Sequence, residues 1–345
     1  MTALARRRGV FGPTAPTIWQ NGVTARSAPR PAGERIPMTE LQIRKIPFVF
    51  DETVPFQWHP TNPDFAFLTN AIGVLAIAFE RYIVTVMKRA KRVIDDPEIA
   101  AEADAFMQQE ALHARAHRLH IDALAHRYPG LRATLDMAIA RFDALLDVHP
   151  LEFHLAYIAS LEATFTPFFK MLIDNRDLLF TEGDPRVASL FMWHFVEEIE
   201  HRSSALIIFD AVVRDPWYRL RVTWQVRSHV YGIVFAIFKA FEEVVPAADR
   251  GVAPDSAPAA PGGWRKLLAR LGPARPPARN PADNAFRGVP KWDLAVSSFR
   301  ILLSQLPHHK PANEPLPAFA RTWFAAYERG EDMTTFVGTP RASAP

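Results

Sequence analysis

Apolar residues recur every three to four positions over most of residues 64–245, the period of helices with one buried face. Turn and cap residues divide this run. Asp96-Pro97, Asp184-Pro185 and Asp215-Pro216 read as helix starts, because Asp caps orphan N–H groups and Pro suits the first helical position. Asn62-Pro63 prepares a helix and Pro129-Gly130 stops one. The expected helices cover about 64–92, 97–127, 131–147, 150–176, 185–213 and 217–245. Pro167 falls inside one of them. It either frees a carbonyl and kinks that helix or marks a break made for packing. Alternating strand patterns with hairpin turns are missing, so the expected class is all-α.

The ends differ from the middle. Residues 1–37 hold six Arg and one acidic residue among Pro, Gly, Ala and Thr, and read as a disordered leader. No apolar run follows Arg6–Arg8, so this is not a secretory signal. Met38 opens a sequence of different character. Either it is the true start or the leader is a flexible arm, and an intact mass of the natively expressed protein separates the two. Residues 38–245 are expected to form the bundle with its fifth helix. Residues 246–290 hold nine Pro and read as a linker or an ordered meander without regular structure, with one short basic amphipathic helix from Trp264 to Leu271. Residues 291–345 read as a helical extension with a disordered tail.

Charge and composition exclude several classes. Outside the leader there are 34 basic and 36 acidic side chains. The folded part is near neutral, and the basic balance gives no argument for nucleic-acid binding. Cys is absent, which removes disulfides, thiolate metal sites and Cys nucleophiles.

The chemistry lies in four carboxylates and two histidines. Glu110-Ala-Leu-His113 and Glu198-Ile-Glu-His201 are Glu-x-x-His pairs, preceded by the lone residues Glu80 and Glu162. Residues i and i+3 share a helix face, so each pair can grip one ion and a lone Glu on a neighbouring helix can bridge two. Glu80 sits in a nearly apolar run from Ala71 to Met87. An unpaired carboxylate buried there costs several kcal/mol or more, and a divalent ion would offset it. Surface decoration explains Glu110 and Glu200 well enough, but not Glu80 or Glu162. The order Glu, Glu-x-x-His, Glu, Glu-x-x-His suits a four-helix bundle holding two ions, with iron or manganese matching N/O ligation without thiolate.

Other residues share the face. His117 and His194 are each a third ligand, a partner of a ligand, or a hydrogen-bonded core histidine. The last is the commoner fate of an isolated buried His. Glu197 competes with Glu198 for His201, but Glu198 copies the i, i+3 spacing of the other pair. Tyr82 and Tyr157 are redox candidates or packing. The small or apolar residues near Glu80 and Glu162 are bundle core or the wall of a dry pocket.

This ligand order resembles that of the ferritin-like di-iron carboxylate superfamily, with Glu80, Glu110, His113, Glu162, Glu198 and His201 matching its motif one by one. More narrowly, residues 38–330 resemble a bacterial family described as predicted metal-dependent hydrolases. Its Glu-x-x-His-x-x-x-His matches 110–117 and its Trp-His-x-x-Glu-Glu-x-Glu-His matches 193–201. The resemblance implies a ferritin-like four-helix bundle with a dinuclear centre, two iron ions or Mn or Fe/Mn, and additional C-terminal helices. The long linker and fifth helix depart from a minimal bundle.

Two enzymatic readings follow. In the first, the centre activates O₂ to oxidise or oxygenate a small apolar substrate, with an unidentified electron donor. The alternative is a two-metal hydrolase of an ester or amide. A non-enzymatic storage role needs a self-assembling shell and acidic entry surfaces, of which the sequence shows no sign. The expected location is cytoplasmic, with room for a homodimer and a peripheral membrane contact. The latter comes from the apolar Val230–Val245 stretch and the basic, Trp-bearing Arg219–Arg227 before it. Packing on the outside of the bundle explains the same stretch.

Overall fold

The computed structural model describes residues 41–251, 285–314 and 316–337. The proposed leader, the Trp264–Leu271 helix and the C-terminal tail lie outside them. The described residues form helices α1 Pro63–Ala90, α2 Pro97–Arg127, α3 Gly130–Val148, α4 Leu151–Asp174, α5 Arg176–Leu179, α6 Pro185–Glu200, α7 Ser204–Val212, α8 Tyr218–Val244, α9 Lys291–Leu303 and α10 Ala318–Glu328, with no strand among them.

The caps act as the sequence suggests. Asn62 accepts from Phe65 N at 3.1 Å, Asp96 from Glu98 N at 2.9 Å and Asp184 from Arg186 N at 2.9 Å. Each such cap stabilises its helix by about 1 kcal/mol. Asp215 instead accepts from Trp217 N at 2.9 Å, and α8 begins just beyond, at Tyr218. α4 continues through Pro167.

One expected helix is two. The run 185–213 stops at Glu200 and resumes at Ser204. Arg202 closes the break by donating to Ile199 O at 2.7 Å and to Pro311 O at 3.0 Å, so an arginine takes a carbonyl of the helix end. Ser204 also donates to the buried Glu102 of α2. The break falls beside His201 and fixes its position.

α1 packs on α2 and α4, and both α6 and α7 pack on α2 and α4. These helices close a ring, with α3 as the crossover. α1 is long and apolar enough to cross a membrane by composition. Its apolar surface is spent on the bundle core, where Val74, Ile83, Val86 and Met87 are fully buried. α8 lies on α3, α4 and α1, and α9 lies on α4. Residues 41–62 have no regular structure, and Pro47, Pro55 and Pro60 break any helical run. They nevertheless bury Phe48, Phe56 and Trp58.

Candidate metal centre

The four carboxylates and two histidines singled out above are all buried. The bundle gathers them, with His194, into two groups of close donor atoms. Glu80, His113, His194 and Glu198 form the first, and Glu110, Glu162, Glu198 and His201 the second; within each, the donors lie within 4.8 Å of one another. Glu198 belongs to both. Its Oε1 lies 2.9 Å from His194 Nε2 and 3.5 Å from His113 Nδ1. Its Oε2 lies 3.1 Å from His201 Nε2. One carboxylate therefore presents one oxygen to each group. His194 Nε2 is 3.2 Å from Glu80 Oε1, and His201 Nε2 is 3.2 Å from Glu110 Oε1.

A metal fits these residues on a specific ground. Glu80 Oε2, both Glu110 oxygens, Glu162 Oε1, His113 Nδ1 and His201 Nε2 are buried without a hydrogen bond. Unpaired buried polar atoms are costly, and here they converge.

The far nitrogen of each imidazole is held. His113 Nε2 pairs with Glu197 Oε2 at 2.9 Å and His201 Nδ1 with Gln109 Oε1 at 3.0 Å. His194 Nδ1 pairs with His117 Nε2 at 2.7 Å. Such outer partners fix a ligand's tautomer and orientation. Two of them share one anchor. Arg44 donates to Glu197 at 3.2 Å and to both oxygens of Glu200 at 2.7 and 2.9 Å. Gln109 donates to Glu200 at 3.1 Å. A chain of bonds thus runs from His113 through Glu197, Arg44, Glu200 and Gln109 to His201. The Arg44 guanidinium is capped by the Phe324 ring of α10, 4.5 Å away.

Electrostatics follow the geometry. Burial, with Glu198 and other carboxylates nearby, pushes Glu110 well above the usual carboxylate range. The same causes raise Glu162 to about 8. Burial disfavours charge on His194, but Glu80 and Glu198 outweigh it and raise the imidazole to about 10. Burial and neighbouring imidazoles push His117 well below its ordinary value, which suits a neutral acceptor. Gly73 gives that ring its room, since a Cβ there would meet His117 Nδ1 at 3.3 Å.

Of the three alternatives open for His194 and His117, His194 lies among the close donor atoms, while His117 and Glu197 bond to donors from behind. Tyr82 pairs with His154 Nδ1 at 2.7 Å and Tyr157 with His229 Nδ1 at 2.8 Å. Sequence reasoning missed Arg44 and Gln109, whose partners lie 153 and 92 positions away. Neither stands out in the sequence, since Arg44 lies between Ile43 and Lys45 and Gln109 between Gln108 and Glu110.

A family model described as a predicted metal-dependent hydrolase matches residues 42–271, about two thirds of the chain. No curated protein and no solved structure matches.

Proposed function

The chain belongs to the family of predicted metal-dependent hydrolases, and we propose that it is a two-metal enzyme hydrolysing an ester or amide of a small, largely apolar acid. The observation that carries the dinuclear reading is Glu198, which turns one oxygen to each donor group. Two divalent ions bound there would supply Lewis acidity toward a carbonyl oxygen and toward water. Glu80, His113 and His194 would hold one, Glu110, Glu162 and His201 the other, and Glu198 both. The Arg44 chain keeps His113 and His201 at fixed orientations. The rings of Trp193 and Phe106, 4.8 Å from His113 and 5.0 Å from His201, exclude bulk water. Trp193 also lines a cavity of about 390 Å³ with Ile46, Phe48, Leu112 and Leu119, and with Lys45 and Arg115. An apolar body with an acidic end suits that lining.

A second reading rests on the donor set. Four carboxylates and three imidazoles without thiolate, drawn from four bundle helices, also suit iron or manganese in O₂ chemistry. The site would then oxidise an apolar substrate and require an electron donor. One experiment separates the two. Metal content is measured on purified protein, followed by turnover of activated esters and amides with and without air. About two ions per chain with oxygen-independent hydrolysis supports the first reading. An optical band that appears in air only after reduction, without hydrolysis, supports the second. Protein that takes up no more than one ion per chain overturns both.

A further inference from the structure

Fifteen large apolar side chains stand exposed among the described residues, and ten of them lie on or beside α8 and α9. On α8 and its N-cap they are Trp217, Leu220, Trp224, Tyr231 and Phe235, spaced three, four, seven and four residues apart. That spacing aligns them on one helix face. The stripe is about 27 Å long at ~1.5 Å per residue. The opposite face carries the buried Val226, Ile233, Ile237 and Phe241 against the bundle. On α9, Trp292, Phe299 and Leu303 are spaced seven and four apart, and Leu306 follows three further on. Trp224 is 79% exposed and Trp292 76%. Arg219 donates to Ser304 O at 2.6 Å. Leu220 follows Arg219 and Leu303 precedes Ser304, so this buried bond ties the start of α8 to the end of α9.

Single exposed apolar residues are ordinary, but an aligned apolar stripe of this length marks an interaction site. Its charge says what kind. From Arg214 to Lys239 four basic side chains, Arg214, Arg221, Arg227 and Lys239, reach the surface against one acidic one, Arg219 being buried. By helical position, Arg221 and Lys239 border one side of the α8 stripe and Arg227 the other. Arg221 pairs with Asp215 and Lys239 with Glu243, but these are exposed pairs of little strength. Arg227 has no ion pair among the described residues. Tryptophan and tyrosine on an apolar face, flanked by cations, match the headgroup layer of a bilayer, where aromatic rings settle and arginine meets phosphate.

We propose that the outer faces of α8 and α9 form a peripheral docking surface for an anionic phospholipid bilayer. Trp217, Trp224 and Trp292 enter the headgroup layer, and Arg221 and Arg227 face the phosphates. The surface is separate from the buried donor groups and does not depend on their chemistry.

The test is flotation of the metal-loaded full chain with phosphatidylcholine vesicles, with and without phosphatidylserine. Light scattering on the free protein accompanies it. The protein should float with phosphatidylserine at low salt and largely stay down at high salt. The double variant Trp224→Ser, Trp292→Ser should lower binding at least about tenfold with unchanged thermal unfolding, since both side chains face solvent. Arg227→Glu should weaken binding to the anionic vesicles alone. Protein that does not float overturns the proposal. If it also forms a dimer that the double variant splits, the surface belongs to a second copy of the chain. Flotation that the double variant leaves intact also overturns it.

Discussion

The two donor groups share Glu198 but are not alike. The first has two carboxylates and two imidazoles; the second has three carboxylates and one imidazole. Without a metal, the first can balance itself. A proton on His194, favoured by Glu80 and Glu198, neutralises part of the charge. The second has one imidazole, His201, likewise held well above its ordinary value, against three carboxylates, and its carboxyls must take up protons as well, as the raised Glu110 and Glu162 indicate. Nitrogen-rich and oxygen-rich halves on one axis therefore differ in how much each depends on a cation. Glu110 and His113 make the point locally. They lie three residues apart on α2, yet each joins a different group.

The largest effect should come from the shared residue. Glu198→Ala removes a donor from both halves, and both ions should be lost together. Turnover should fall by at least about a hundredfold, the upper end of what outer partners alone contribute. Metal analysis of the purified variant checks this, and one retained ion would show that the halves are independent.

Next come the single-group changes. His201→Ala leaves three buried carboxylates with no imidazole, and should cost roughly 3–5 kcal/mol of stability along with the second ion. His194→Ala leaves His113 with Glu80 and Glu198, and should cost roughly 1–3 kcal/mol. Each variant should keep one ion. Chemical denaturation of both, with metal counted, tests the order; equal losses would remove the asymmetry.

How much of this was legible in the sequence depends on distance along the chain. Period and Asp-Pro caps carried the helices, since both are local. The Glu-x-x-His pairs carried the donor types because i, i+3 spacing is also local. The break at residues 201–203 was not legible, as Arg202 makes it by reaching Pro311. The place of His194 could not be told from that of His117, because both lie one turn from a Glu-x-x-His residue. Only the packing of α2 against α6 puts one in front and the other behind. Arg44 comes from a segment with no period at all.

A third prediction concerns pH in protein stripped with a chelator. Glu162 has a folded value near 8 against an ordinary value of 4.5. A group raised on folding stabilises fully below its unfolded value and loses that contribution as pH rises through the folded one. His194, raised to about 10 from 6.5, acts in the same direction at higher pH. Between about pH 7 and about pH 8, above the range in which the lowered, buried His117, His120 and His154 add stability with rising pH, stripped protein should therefore melt at progressively lower temperature. Restoring metal should flatten the slope, because a cation replaces the protons. Differential scanning calorimetry across this range decides it, and a stripped protein that gains stability toward pH 8 would contradict the charge balance of the second group.

The smallest effects should come from behind the donors, and they sharpen the comparison most. Arg44 serves both halves, through Glu197 to His113 and through Glu200 and Gln109 to His201. His117 serves one, through His194. Arg44→Ala should weaken both ions by roughly 10–100-fold, the usual cost of losing an outer partner. His117→Ala should weaken only the ion of the first group, by about tenfold. The vacated space lies beside Gly73, where a water can take the place of the imidazole nitrogen and keep His194 oriented. Competition with a graded series of chelators resolves the two ions. Two shifted steps are expected for Arg44→Ala and one for His117→Ala, and a single common shift in both variants would mean that the halves bind as one unit.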